Sequence, residues 1–541
     1  MRDNSPFAPL RVPIFRAVWL ASIASNFGGL VQAVGAAWLM TLIAGSDTQV
    51  ALVQASTTLP IVVFSLISGA VADSYNRRRV MLASQLFMLA VSVALTVVTY
   101  LDLINAWTLL AFTFLLGCGA AFNNPAWQAS VRDFVGMDLM PSAVLLNGVG
   151  FNVTRSVAPA VGGLIVAAFG AVAAFVVNTL SYLGLLAALW SWRGPPAVAE
   201  VHRASLAAAI RAGIRYVRLS PKLKLLYARG FLFGFGAVAV LALLPLIARD
   251  LLRGDSLVFG VLLGGFGVGA VIGGLTSSRI AQALSSEQMV RLSFLALLVS
   301  VLVASVSPWL LVTLVAVAMS GWGWVLTLAL FNTTVQLSTP RWVVGRAMSF
   351  YQMFTFGGMA LGSWIWGLQV ESYSLPVALQ FAAAALLAGL LTGIRWPLPD
   401  RTELNLDPLG RWQEPAVALD IVPRSGPVSV AVEFLIDEPD VPEFMVLMQE
   451  RERIRRRDGA REWTLLRNVE QSGQWIERFE LPTWADYVRL HSRTTQDDGR
   501  INDRIRALHR GAERPRVRRM LVRDPGDARL TLDAKRHSSS E

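Results

Sequence analysis

Gly69-Ala70-Val71-Ala72-Asp73-Ser74-Tyr75-Asn76-Arg77-Arg78-Arg79 joins two long apolar runs. An arginine at the centre of a bilayer costs roughly 3 kcal/mol even on lenient insertion scales, so three in a row stay on the cytoplasmic side and orient the helices around them. Gly69 permits close helix packing, Asp73 stands where one run ends, and Arg77 and Arg78 lie within salt-bridge reach just beyond it. Asn76 is a residue type that tolerates a left-handed backbone. Such a loop between runs of about 20 apolar residues describes an all-α, multi-pass membrane protein.

Composition agrees. Of 541 residues, 54% are hydrophobic and 16% charged, with charge sparse up to Trp396 and dense after it. The chain therefore divides into a membrane part and a soluble appendage. The net charge of +11 is spread over short loops and the tail, where it serves orientation, and no nucleic-acid partner is expected. The single cysteine, Cys118, excludes a disulfide framework and a thiolate metal site. His202, His491, His509 and His537 all lie outside the apolar runs, so none relays protons within the membrane. No GxxxxGK[ST] phosphate loop is present, and neither a cofactor nor a metal is expected.

Residues 1–192 hold six apolar runs, the first continuing to Ile43 and the last two at 142–168 and 171–192. Residues 193–224 interrupt the pattern with Arg211, Arg215, Arg218 and Lys222 at helical spacing, as in an amphipathic connecting helix. Six more runs fill 225–396. Arginines such as Arg132, Arg279, Arg341 and Arg346 fall on alternate connections, and Asp47, Asp102, Asp250, Asp255 and Glu371 on the others, which places both termini in the cytoplasm. The two halves read as a diverged duplication: Phe122-Asn123 followed by Gln128-Ala129-Ser130 recurs as Phe331-Asn332 followed by Gln336-Leu337-Ser338, and Gly69 and Asp73 correspond to Gly274 and Ser278.

The pattern of a glycine, an acid four residues on and a basic run after the second apolar segment resembles the loop signature of the major facilitator superfamily. Ser74 and Asn76 stand where that family usually has a basic residue and a glycine. The fifth run, with Asn152, Arg155, Ala158-Pro159 and Gly162-Gly163, resembles the fifth-helix signature of the superfamily's exporters, with Ala158 in place of a glycine. From Phe122-Asn123-Asn124-Pro125-Ala126-Trp127-Gln128 to Asn178-Thr179-Leu180-Ser181-Tyr182 the chain looks like the branch of transmembrane secretion effectors that includes the enterobactin exporter. The resemblance implies twelve transmembrane helices in two six-helix bundles, with helices one, four, seven and ten lining a central cavity. It also implies alternating-access, proton-coupled efflux of a siderophore, drug or secondary metabolite across the bacterial inner membrane, by an antiporter rather than an enzyme.

On this reading Gly69, Asp73, Arg77 and Arg78 gate the cytoplasmic side, and Asn26, Gln32, Asn123, Asn124, Gln128, Asn152, Arg155, Asn332 and Gln336 bind the small-molecule substrate. Any one of these amides is more often interhelical glue, but as a set on repeat-related helices they point to a cavity. Arg155 stands mid-helix without an acid at its depth, and is equally a strut between helices or the contact for an anionic substrate. Gly148, Asn152, Arg155, Pro159 and Gly162 share one helical face. Acids occur only at run edges, at Asp73, Asp133, Asp250, Glu287 and Glu371, so proton coupling runs through Asp73 or Asp133, or is indirect.

A Pro-rich linker, 397–427, precedes a soluble domain at 428–522, and 523–541 reads as a disordered tail. The order βαββαβ gives a small α+β, ferredoxin-like plan. It resembles dimeric modules related to antibiotic-biosynthesis monooxygenases, which implies a homodimer. Asn468, Trp475, Trp484 and His491 are its candidate pocket residues, although a strand Trp is more often core and a lone His on a charged helix is usually solvated. A membrane-anchored enzyme or sensor is the alternative reading.

Overall fold

The computed structural model describes residues 7–135, 138–192, 206–340, 342–398, 406, 409–410, 412, 414–415 and 417–523. The side chains of Ala70, Asp73, Ser74, Arg132, Pro141 and Ala212 and of residues 206–209 are outside the description, as are Arg341, the first part of the interbundle connection, most of the linker and the tail that reads as disordered. The chain forms two compact units: 1–206, 222–335 and 345–402 make one, and 207–221, 336–344 and 403–541 the other.

The helices, in order, are α1 (Pro13–Ile43), α2 (Asp47–Ser74), α3 (Arg77–Tyr100), α4 (Ala106–Val135), α5 (Met140–Ser191), α6 (Leu206–Arg218), α7 (Pro221–Leu246), α8 (Ser256–Ala283), α9 (Ser286–Val306), α10 (Leu310–Leu337), α11 (Val344–Ser372) and α12 (Leu375–Arg395). Among the described residues ten helices are long and apolar enough to cross a membrane. One of them, α5, runs for 52 residues, more than twice the roughly 20 needed for one crossing. It breaks at Gly170, whose φ of 78° only glycine adopts readily, so the expected fifth and sixth helices are its two limbs. With the limbs taken separately and α11 added, the long helices number twelve.

Local chemistry sets the helix ends. Asn76 does not use the left-handed backbone open to it; its φ is −61° and its side chain accepts the Arg79 N–H at 3.2 Å, capping α3. Asp255 caps α8 by accepting from Leu257 and Val258, and Ser285 and Gln288 form a capping box on α9.

The first bundle packs Phe15, Val18, Met81, Phe134, Leu189 and Trp192 into a buried cluster. The second centres on Phe233, whose ring lies 5.6 to 6.2 Å from those of Trp324, Phe294 and Phe331. The bundles meet along α5 and α8. A Cβ on Gly163 would lie 2.9 Å from Gly260 Cα, and one on Gly267 2.5 Å from Arg155 O, so small residues let the backbones touch. The expected polar stripe of α5 is divided: Gly162 packs on Val31 of α1 and Gly148 has open space beside it, while Ser156, Pro159, Ala160 and Gly163 meet α8.

In the second unit β1 (Val428–Leu435), α13 (Val441–Asp458), β2 (Arg461–Arg467), β3 (Gln474–Leu481), α14 (Trp484–Arg493), α15 (Gln496–Ala507) and β4 (Arg516–Leu521) follow the βαββαβ order. The strands are arranged β2-β3-β1-β4 and pair antiparallel, as the ferredoxin-like plan requires. Val430 sits opposite Phe479 and Phe434 opposite Trp475, so alternate residues build one buried face with Phe444, Leu447 and Tyr487. This unit also takes in α6 and residues 336–344: Arg457 lies over the Tyr216 ring at 5.3 Å, Arg493 over the Trp342 ring at 4.1 Å, and Arg453 donates to Leu219 O. Two short parts of the membrane-side sequence thus fold with the C-terminal module.

Two of its groups make the second unit acid-sensitive. Burial, with Arg455, Arg519 and Arg451 nearby, lowers His491 to about 3. Glu477 is fully buried, which alone would raise it, but Arg451 and Arg455 outweigh burial and hold it at about 2. Both values lie below the unfolded ones, so the unfolded chain binds more protons in acid. The stability from a neutral His491 is complete above pH 6.5 and lost toward 3; that from Glu477 is complete above pH 4.5 and lost toward 2. Near-ultraviolet circular dichroism on acidification is expected to show loss of tertiary signal beginning below pH 6.5, and His491→Phe to remove the upper part of that slope.

Candidate substrate cavity and gates

Four of the expected amides come together. Asn26 of α1 and Asn123, Asn124 and Gln128 of α4 line a cavity of about 620 Å³ with Gln85 of α3 and Asn147 and Tyr182 of α5. Pro125, within α4, lies among them in sequence. Gln85 was not singled out in the sequence because it is a lone amide in an apolar run, outside the repeat that marked α4. Its Nε2 donates to Asn123 Oδ1 at 3.2 Å, while its Oε1 is buried behind the cavity surface and, among the described residues, has no partner. Rotation of the side chain toward the cavity would present that unmatched carbonyl to a ligand N–H or O–H.

Gln32 sits deeper, beside a second space of about 290 Å³ that shares Gly29, Met88, Ala120 and Tyr182 with the first. The second bundle reaches this space through Leu241, Ala242, Pro245, Phe259 and Leu263. The Gln32 Oε1 is already engaged, accepting from Asn178 Nδ2 and from Ser92 Oγ at 3.4 Å, so this oxygen ties helices together. Asn152 donates to Gly148 O one turn back and lines neither space.

The repeat does not extend the cavity into the second bundle. Phe331 is fully buried in the aromatic cluster, and Asn332, one residue on, lines neither space; Gln336 belongs to the second unit. Arg155 also lines neither space. Its guanidinium lies 5.5 Å from the Phe266 ring centre, across the α5–α8 seam.

Arg77, expected at the gate, pairs with Asp133 at 3.0 Å and donates to Ala129 O at 3.1 Å, so it has a partner in α4; the Asp73 side chain, its expected partner, lies outside the described residues. Arg78 donates to Leu189 O and Trp190 O, satisfying carbonyls at the end of α5. Gly69 is not held in tight packing, since a Cβ there would meet Ser349 Oγ at an ordinary 4.0 Å.

The closed contacts lie at the opposite ends of these helices. Arg249 bridges to Asp47 at 3.0 Å and donates to Thr41 O, Thr48 donates to Glu371 at 2.5 Å, and Gly367 packs on Thr48. Ser65 and Ser349 exchange hydrogen bonds further along α2 and α11. At the arginine-loop end of the α5–α8 seam, a side chain on Gly148 or Gly274 would meet nothing within 4 Å.

In the C-terminal module the four candidate residues do not gather around the cavity found there. Asn468 bonds to Gln474 at the hairpin, Trp475 is core, and the buried Trp484 donates to Glu414. His491 is not solvated, being stacked on Trp412 at 4.8 Å and in edge contact with Tyr487.

Known proteins resemble most of the chain. The family described as "Transmembrane secretion effector" matches residues 4–525. The multidrug efflux pump Tap of Mycolicibacterium fortuitum is 25% identical over 419 residues, 74% of this chain and 98% of its own length. The enterobactin exporter EntS of Escherichia coli O1:K1 is 26% identical over 389 residues, 70% of this chain and 89% of its own. Among solved structures, the nucleoside transporter NupG is similar in fold, with TM-score 0.57 at 13% identity over 71% of this chain and 98% of its own.

Proposed function

Since the chain belongs to the transmembrane secretion effector family of the major facilitator superfamily, we propose that it exports a polar small molecule of the siderophore, drug or secondary-metabolite class across the bacterial inner membrane. The observation that carries this reading is the cavity of about 620 Å³ lined by the amides Asn26, Gln85, Asn123, Asn124, Gln128 and Asn147. Spaces of about 300–1,000 Å³ suit drug-sized ligands, and amides select among them by hydrogen bonding. By the positive-inside rule the Arg77–Arg79 end faces the cytoplasm, with both termini. The seal formed by Asp47, Thr48, Arg249 and Glu371 then closes the outer side, and substrate enters the cavity from within. Rocking of the bundles about the glycine-packed α5–α8 seam breaks that seal and releases substrate outward.

Among the described residues neither space is lined by a carboxylate. Proton coupling in this reading therefore runs through the Arg77–Asp133 pair, which makes and breaks as the inner side closes. The exposed strands β2 and β4 at the edges of the module's sheet support the homodimer expected there. The relatives are transporters and so is this chain; the monooxygenase-like reading of the module finds no support in the placement of its four residues.

Inside-out vesicles offered labelled catecholate siderophore, hydroxamate siderophore and fluorescent drug in turn are expected to accumulate at least one of them. For that compound Gln85→Leu should raise KM about three- to tenfold, the equivalent of one hydrogen bond, with insertion unchanged. Accumulation of none, or a Gln85→Leu variant that transports like the parent, would overturn the cavity assignment.

A further inference from the structure

The second unit holds a cavity of about 500 Å³ that the transport reading does not use. Arg211, Arg215 and Arg218 of α6 form one side of it, and Arg456 and Arg461 of the C-terminal module the other. A single glutamate, Glu462, joins them, and Ile214, Leu219 and Ala460 supply an apolar floor. Arg456 has a partner in Glu452, and Arg211 is also engaged; among the described residues no carboxylate lies within salt-bridge distance of Arg215, Arg218 or Arg461. The walls are held from behind, because Arg215 Nε donates to Arg457 O at 3.2 Å and Arg453 donates to Leu219 O at 2.9 Å.

Five guanidinium groups around one cavity repel one another, and a bound anion relieves that repulsion. Planar, forked donors match phosphate oxygens two at a time, which point charges such as lysine do not. The space is too large for inorganic phosphate alone, and its apolar floor suits the carbon part of an ester. The geometry assigns to this cavity the binding of a phosphate ester, held between α6 and the C-terminal module.

Two sources supply that chemistry. Leu219 precedes by two residues Pro221, the first residue of the apolar helix α7, so an anionic phospholipid headgroup is within reach of the chain at this point. A soluble ester such as a nucleotide is the other. An occupant would bridge α6 and the module and make their association depend on its concentration.

The test uses the full-length chain with phosphatidylglycerol and with ATP as probes, phosphatidylcholine and adenosine being the controls. Native mass spectrometry reads retained lipid, and equilibrium dialysis reads ATP. The parent is expected to hold phosphatidylglycerol or ATP in preference to its control. Arg218→Gln with Arg461→Gln should weaken that binding about tenfold or more, for two lost charge-assisted contacts, and the paired lysine substitutions should weaken it less. Arg478→Gln, on an exposed residue outside the cavity, should change nothing. Both mutated side chains are exposed, so unchanged melting of the glutamine variant is expected, and the lysine pair serves if it melts early. Retention of phosphatidylglycerol identifies the lipid as source, and retention of ATP the soluble ester. Equal binding by parent and both double variants, or no preference over the controls, overturns the assignment.

Discussion

Glu287→Gln is expected to destabilise the second bundle by about 3–5 kcal/mol, the usual cost of leaving one member of a buried ion pair without its partner. Glu287 is buried and receives Arg229 Nη2 at 3.1 Å; Arg229 is itself only 1% exposed and donates also to Thr392. Arg291 Nε adds a second bond to the same carboxylate at 3.0 Å, and Leu398 N a third at 2.9 Å. Glu287 therefore ties α9 to α7 and to the start of the linker, and its two arginines carry the network on to α12. Gly393 makes room for it, because a Cβ there would collide with Glu287 Oε1. The check is the melting temperature in detergent: Glu287→Gln should fall sharply, while Arg291→Gln, on a side chain 40% exposed, should cost under about 1 kcal/mol. A Glu287→Gln protein that melts with the parent would show that the network contributes no net stability.

The second large effect is expected at Arg155. Arg155→Gln should reduce export about tenfold or more while inserting normally, and Arg155→Lys should fall between it and the parent. The guanidinium rests against Phe266 across the seam on which the bundles move, and its own carbonyl is where Gly267 makes closest approach. A cation over an aromatic face is worth about 0.5–2 kcal/mol, and lysine retains the charge but not the planar stacking. If Arg155 also receives an anionic substrate when the seam opens, that substrate should raise the melting temperature of the parent and not of Arg155→Gln. Equal protection of both would leave Arg155 a strut between bundles. Stable variants with unchanged export would remove it from transport altogether.

The apolar helices and the βαββαβ order of the C-terminal module were legible in the sequence. Each depends on periodicity and on the cost of placing charge in hydrocarbon, and both are local properties of the chain. The break between the fifth and sixth helices needed only the short gap at Gly170. Four cavity amides were legible as well, because Asn26, Asn123, Asn124 and Gln128 fall on helices marked by composition and by the repeat.

Tertiary structure decided what those side chains meet. Sequence equivalence made Asn332 the counterpart of Asn123, but Asn332 lines neither space, and its neighbour Phe331 packs into the cluster around Phe233. Arg77 takes Asp133, 56 positions away, through the pairing of α3 with α4. Gln85 entered the cavity wall, and Gln32 turned its oxygen to Asn178, by helix rotations that spacing does not encode. The gathering of α6, residues 336–344 and the C-terminal module into one unit was equally invisible, since it depends on arginines stacking over Tyr216 and Trp342 far along the chain. Burial within a helix can be read from its own residues. The partner across a seam depends on how two surfaces, each tolerant of many neighbours, settle against each other.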